Sequence, residues 1–506
     1  MATQIRNGDF AMMGQQTGNQ PKIFYPHLNL EQRVPRTHLL RRIQEQIDFD
    51  FIYSEVKDSY GERGNVSIPP PVILKMMLLL VLYNVRSERE LMETIPLRLD
   101  WLWFLGYDID SEVADHSVLS KARARWGVEA FRRFFERIVW QCVEVGLVDG
   151  SKIFMDSSLV DANASNNSVI DTRSLKVQLQ ESYKRLEARL EEKSADSSRR
   201  YVKENSRYIS STDPDAGIVN RGKPKLSYQV HRAVDGRSEV ITAMETTSGD
   251  VNEAHEMIPL LESHHLNTGI KADTVVADSK YGTIENFLAC CDRGIEAHMP
   301  DLQESTAKRI EKLNIFSEER FEYDGESDTY RCPAGHRLKP RSLHMSRQSR
   351  DYAAPKKICA ACHLKEQCTK NKSGRTIKRH LRQGDLDRMR EASRSAKAKR
   401  DINMRQHLME RSYARGTRYG FDRARWRGLW RVEIQEYLIS AVQNIQVLLR
   451  YGSYLKRSPS VMMERIKGVT PGVIRSFLDL KELVKSKIGQ RMLLGLTYPR
   501  LFFIEG

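Results

Sequence analysis

The order of hydrophobic patterns between Ser151 and Pro300 constrains the fold of this chain more than any other feature of its 506 residues. "KIFMDSSLVDANAS" alternates apolar and polar residues over its first half and reads as a strand. "KLSYQVHRAVD" and "SEVITAMETTSG" read as two further strands, separated by a tight turn at Asp235-Gly236-Arg237, which is a hairpin signal. "DVNEAHEMIPLLESHH" is a helix with Asp250 near its start, and "ADTVVAD" is a strand. "TIENFLACCDRG" is a helix closed by Gly294, and "IEAHMP" is a last short strand.

A strand, a two-stranded hairpin, and then alternating helices and strands is the element order of an RNase H-like fold. Ordinary doubly wound folds alternate strand and helix from the start, so the hairpin argues against them. The expected fold is α/β: an RNase H-like core with a mixed five-stranded sheet, preceded by an all-helical N-terminal domain and interrupted by a small cysteine-containing insert. In such a sheet the first strand and the strand after the first helix are neighbours. Asp156 of "IFMDSSLV" and Asp278 of "VVADSKYG" then meet. Converging carboxylates suit hard, oxygen-seeking ions and two-metal phosphoryl transfer. A third carboxylate is expected from a later helix packed across the sheet. For Asp278 alone, a helix N-cap or a loop position is the competing explanation.

The flanking segments set the domain plan. Residues 1–150 read as helical, through "PPVILKMMLLLVLYNVRSERELMETI", the aromatic-rich "DWLWFLGYD" and "DHSVLSKARARWGVEAFRRFFERIVWQCVEVGLV". "DHS" offers N-caps to a helix whose Lys121, Arg123 and Arg125 form a basic face, fit either for a DNA groove or for solvent. Leu175, Leu179, Leu186 and Leu190 mark a helical insertion over 168–210. Residues 151–300 and 396–455 form the core, 301–395 the insert and 456–506 a helical tail. Asp161, Asp213 and Asp215 read as turn or capping residues.

Charge names a class of partner. The chain carries +15, and from Asn371 to Arg431 there are 19 Lys/Arg against 6 Asp/Glu. Arginines there are mixed with Tyr413, Tyr419, Trp426 and Trp430, which favours a phosphate-backbone surface; Arg423, Arg425, Arg427 and Trp426 are the expected contacts. No run approaches the roughly 20 apolar residues of a membrane span, since "VILKMMLLLVLY" contains Lys75. The N-terminus has no secretory pattern, and seven thinly spread cysteines argue for a reducing compartment, so the cytoplasm and its nucleoid are expected. Cys332, Cys359, Cys362 and Cys368 lie in the insert, where one CxxC and two further cysteines suit a structural Zn²⁺, with His336 or His363 as substitute ligands; free thiols are the alternative. Cys142, Cys290 and Cys291 read as core.

Several of these stretches, in order along nearly the whole chain, resemble the DDE transposases of bacterial insertion sequences. "RSERELMETIPLRLDWLWFLGYD" and "ADHSVLSKARARW" are similar to their InsH-like N-terminal domain. "FMDSSLVDANAS" resembles the first-Asp motif, "TDPDAG" and "YQVHRAVD" the hairpin region, and "VVADSKYG" the second-Asp motif. The third motif falls in "MRQHLMERSYARGTRYGFDRARWRGLW", which makes Glu410 the third ligand by resemblance. The related Tyr, Arg, Glu, Lys signature is incomplete there, with Asn403, Gln406 and Thr417 at three of its positions, so Glu433 and Glu436 stay as rivals. The resemblance implies two Mg²⁺ or Mn²⁺ ions held by Asp156, Asp278 and Glu410. It also implies double-stranded DNA, as element terminal inverted repeats and target, for substrate, and a homodimer bridging two ends. The same residues would serve an RNase H-like nuclease or resolvase, a non-catalytic DNA-binding relative or, more distantly, an RNA-processing enzyme.

Overall fold

In the computed structural model, residues 13–14, 29–61, 66–171, 208–301 and 314–455 are described, and residues 1–449 form one compact unit separate from 450–506. The strands of its first half are β1 (Lys152–Asp161), β2 (Val169–Asp171), β3 (Tyr208–Ser210), β4 (Gly217–Arg221), β5 (Lys223–Asp235), β6 (Ile241–Ser248), β7 (Thr274–Val276) and β8 (Glu296–His298). The central sheet is mixed, in the order β4-β5-β1-β7-β8, with β6 also on β5. β5 is long enough to pair with β4 through its first residues and with β6 through the rest. That makes six strands where five were expected. β1 runs antiparallel to β5 and parallel to β7, so the hairpin and the later strand flank it as the pattern required.

Register brings the two aspartates together. Phe154 of β1 pairs with Val276 of β7, and Asp156 and Asp278 each lie two residues beyond that pair. Parallel neighbours alternate in step, so both side chains leave the same face of the sheet. The turn between β5 and β6 is longer than expected, covering residues 236–240 with Glu239 at φ 63°. Asp235 fastens it by accepting hydrogen bonds from the Arg237 and Ser238 amides at 3.1 and 3.2 Å.

The helices that bear on the site are α1 (Pro70–Leu82), α2 (Ser117–Glu144), α3 (Met257–Thr268), α4 (Ile284–Arg293), α5 (Gln383–Ser393), α6 (Ala396–Thr417) and α7 (Leu429–Leu455). α1 starts on prolines at positions whose amides need no partner, and all of its residues from Pro70 to Val81 are buried. Lys75 lies among them with its amine 5.4 Å from the rings of both Phe49 and Phe104; burial pushes its pKa down to about 8. No helix among the described residues is long and apolar enough to cross a membrane. α2 is broken at Gly127, whose φ of 66° suits only glycine well, so the basic first segment and the apolar second one point differently. The second segment reaches the core, where Cys142 is buried and Phe135 meets Tyr437 of α7 at 5.7 Å.

One face of the sheet buries Ile153, Met155, Ala233, Val275 and Ala297 against Met257, Leu260, Phe287 and Cys290 of α3 and α4. Leu386 and Met389 of α5 join that cluster, so α5 belongs to the core, contrary to the expectation that the insert extends to 395. α6 packs against β1, β7 and β8. The insert itself is an antiparallel sheet of β9 (Glu322–Asp324), β10 (Thr329–Arg331), β11 (Arg337–His344), β12 (Ser349–Ala353) and β13 (Thr376–His380). Its core is Phe321, Tyr330, Leu338, Tyr352, Ala354 and Ile377. The leucines of the expected 168–210 helix and the 456–506 tail lie outside the described residues; the described ends of the former pair as β2 and β3.

Candidate metal-binding carboxylate site

Asp156 leaves β1 where the strand is crossed by α6. Its Oδ1 accepts from the Ser157 amide at 2.8 Å, and its other oxygen is ion-paired with Arg405 of α6. Tyr413, two turns further along α6, donates its hydroxyl toward the main-chain oxygens of Asp156 and Val230 at 2.8 and 3.1 Å. Asp278 follows β7 and accepts from the Lys280 amide at 2.9 Å, capping the short 3-10 turn Ser279–Tyr281. The capping role is therefore real, and it leaves the carboxylate facing Asp156.

Glu253 completes the group. One carboxylate oxygen from each of Asp156, Glu253 and Asp278 lies within 4.8 Å of the others. Glu253 opens the 3-10 turn Glu253–Glu256, where Asn252 accepts from the Ala254 amide and directs the chain from β6 into α3. It is buried and ion-paired with Lys280. Its neighbours are Ser157 and Gln229, whose side chains are joined to each other at 2.7 Å.

The electrostatics fit a cation site. Burial pushes Asp156 up to about 6; Arg405 opposes this, while the charges of Asp278 and Glu253 add to it. Burial and then Glu253 raise Asp278, against Arg405 and Lys280. Burial also raises Glu253, but hydrogen bonds from Lys280, Ser157 and Gln229 outweigh it and hold the carboxyl below the ordinary glutamate value. Mutual repulsion between close carboxylates is what a divalent cation relieves, and an all-oxygen donor set suits Mg²⁺ or Mn²⁺. Three carboxylates from three separate segments fit such an ion.

Of the three ligands expected from the sequence, the structure brings Asp156 and Asp278 together, whereas Glu410 lies outside this group. Glu410 is exposed on α6 and accepts from Gln406 one turn earlier at 3.1 Å. The helix turns Arg405, Met409 and Ser412 toward the sheet, and Glu410 points away from that row. The rivals do not join either. Glu436 is fully buried against Arg232, and the negative charge near Glu433 comes from Glu245. Glu253 carried one usable signal, an acidic residue just after the hairpin, but its convergence depends on contacts with Ser157, Gln229 and Lys280 that no local pattern records. Asp213 and Asp215 behave as expected for capping residues, accepting from the Gly428 and Leu429 amides at 3.0 and 2.9 Å where α7 begins.

The expected DNA contacts divide into two sets. Lys121, Arg125, Arg423 and Arg427 are exposed. Arg123 is not available: it is buried, ion-paired with Glu88, and stacked 3.9 Å from the Trp426 ring. Arg425 is half-buried and donates to the oxygens of Val85 and Asn84. Arg123, Arg425 and Trp426 thus join the N-terminal helices to the loop between α6 and α7.

Cys332, Cys359 and Cys368 pack against the core of the insert, and the Cys368 thiol is raised by burial and, after the opposing Arg375, by the other three thiols. The four cysteines are neighbours, yet among the described residues the carboxylate group is the one set of three such ligands that converges. No disulfide joins any of the four sulfurs.

Residues 28–125 match the family described as Transposase domain (DUF772), and residues 331–449 match Transposase DDE domain. No curated protein and no solved structure matches significantly. One transposase family thus matches over the N-terminal helices and a transposase DDE domain from the insert through α6 and α7, which together support a DDE-type transposase of an insertion sequence.

Proposed function

We propose that this transposase cuts DNA at the ends of its element and joins the freed 3′ ends to target DNA, using an RNase H-like core. The sheet order and the antiparallel hairpin beside β1 support the fold. The observation that carries the chemistry is the convergence of Asp156, Glu253 and Asp278 within 4.8 Å at adjacent strand ends.

These three carboxylates would hold two Mg²⁺ or Mn²⁺ ions. When bound, such ions lower the pKa of the attacking hydroxyl and neutralise charge on the leaving oxygen. The chain supplies the geometry. β1 and β7 fix Asp156 and Asp278 through register, and the turn before α3 fixes Glu253. Arg405 and Lys280 balance charge at the group through their ion pairs with Asp156 and Glu253. Tyr413 fixes the backbone of Asp156. The substrate is double-stranded DNA, approached over the exposed Lys121, Arg125, Arg423 and Arg427, with two copies of the chain bridging two element ends.

The test uses labelled DNA from the element ends with wild type and Asp278→Ala, in Mg²⁺ or EDTA. Metal-dependent cuts at discrete end positions, with products joined to new DNA and lost in the variant, are expected. Cuts without joined products would make the protein a nuclease. Binding with no cleavage in either metal would contradict the reading.

A further inference from the structure

The insert concentrates charge to a degree that its small core does not need. Residues 322–380, which span its five strands, contain 14 Lys/Arg and 6 Asp/Glu, a net +8. Pairing in the insert sheet sorts these residues by face. Tyr330 opposite Leu338, and Tyr352 opposite Ile377, form the apolar row over the core, with the exposed Pro340 beside Tyr352 at its margin. Period-two alternation sends their neighbours to the other face. There Arg331 pairs with Arg337, Lys339 with Ala353, and Asp351 with Lys378.

That outer face is open. Arg331, Arg337, Lys339 and Lys378 are all exposed, and no carboxylate among the described residues is in salt-bridge distance of any of them. Three acids share this face with the exposed cations: Glu322 opposite Arg331, Asp324 within the field of Arg337, and Asp351 opposite Lys378. Asp351 is engaged by His344 at 3.1 Å. Like charges directly opposite across a ladder, as at Arg331 and Arg337, destabilise an isolated sheet. A polyanion lying across the strands would turn that cost into binding.

We infer that the outer face of the insert sheet is a docking surface for the phosphate backbone of duplex DNA, separate from the carboxylate site. The choice of DNA as occupant rests on the transposase reading; the location rests on the charge and exposure of the four residues. Backbone binding reads no sequence, so the surface holds element and target DNA alike.

The experiment compares full-length wild type with a variant carrying Arg331→Ser, Arg337→Ser, Lys339→Ser and Lys378→Ser. Affinity for a labelled duplex of random sequence is followed from about 50 to 200 mM salt. Each neutralised phosphate contributes about 0.9 to the slope of log affinity against log salt, so the variant slope is expected to be shallower by about 3 to 4. Should the fourfold variant melt early, the four single substitutions replace it, each expected to lower the slope by about 0.9. An unchanged slope in a variant that melts like wild type overturns the inference while leaving the transposase reading standing, provided element ends are still cut. Failure of wild type to bind duplex DNA at all removes both. Loss of binding to poly-glutamate without any change on DNA assigns the face to an acidic protein instead.

Discussion

Arg405 of α6 is ion-paired with Asp156 of β1, and it is the basic partner of the carboxylate group contributed by the long helix that crosses the sheet. The pair sets how the site charges. Arg405 opposes the rise in both Asp156 and Asp278, and it therefore competes with any cation for the same oxygens. Arg405→Ala is expected to tighten Mn²⁺ binding above pH 7 by about tenfold, since a partly buried ion pair of roughly 1–2 kcal/mol no longer has to be broken. Titration of Mn²⁺ by electron paramagnetic resonance checks it. Weaker Mn²⁺ binding in the variant would mean that Arg405 builds the site and does not compete for it.

Arg123 gives a prediction of the opposite kind. It reads as a DNA contact in the sequence, but its side chain lies between Glu88 and Trp426. Removing one partner of a buried ion pair leaves the other uncompensated, at a cost of about 3–5 kcal/mol. Arg123→Ala should lower the urea midpoint strongly while leaving the salt slope of DNA binding per folded molecule unchanged. Lys121→Ala with Arg125→Ala should do the reverse. A reduced slope for Arg123→Ala at wild-type stability would return that residue to the DNA surface.

His264 makes the core sensitive to acid. It is fully buried on α3, with Nδ1 2.9 Å from the Thr242 hydroxyl and Nε2 3.2 Å from the Gly150 carbonyl oxygen. Burial pushes its pKa down to about 4. The unfolded chain, with an ordinary histidine near 6.5, binds the proton more readily than the folded one, so stability falls as pH drops from about 6.5 toward 4. The contribution is on the order of 3 kcal/mol over that window. His264→Gln should lose some stability at pH 8 and show a flatter acid limb than wild type, because other titrating groups cancel in the comparison. Parallel acid limbs in urea melts would show that His264 does not stay neutral in the folded state.

What the sequence made legible follows from where the determinants sit. β1, the β5–β6 hairpin, α3, β7 and α4 each announce themselves by local periodicity, and the parallel register of β1 and β7 follows once the order is known. Asp156 and Asp278 were legible for that reason. Glu253 was not, because its place depends on the turn after β6 and on side chains from two other strands. Arg123 was misread because Trp426 lies about 300 positions away, and a basic residue on a short helix gives no local sign of which side it buries. α5 was assigned to the insert because its Leu386 and Met389 face a cluster built from distant segments.

Glu253, and not Glu410, stands with Asp156 and Asp278 in the candidate metal-holding group. The most direct measurement is Mn²⁺ affinity, alongside cleavage of element-end DNA, for Glu253→Gln and Glu410→Gln against Asp278→Asn. The account predicts that Glu253→Gln loses metal affinity and cleavage as severely as Asp278→Asn, by a factor of about a hundred or more, roughly 3 kcal/mol. It predicts that Glu410→Gln binds Mn²⁺ like wild type. The reverse, with Glu410→Gln inactive and unable to bind metal while Glu253→Gln retains both, would contradict it.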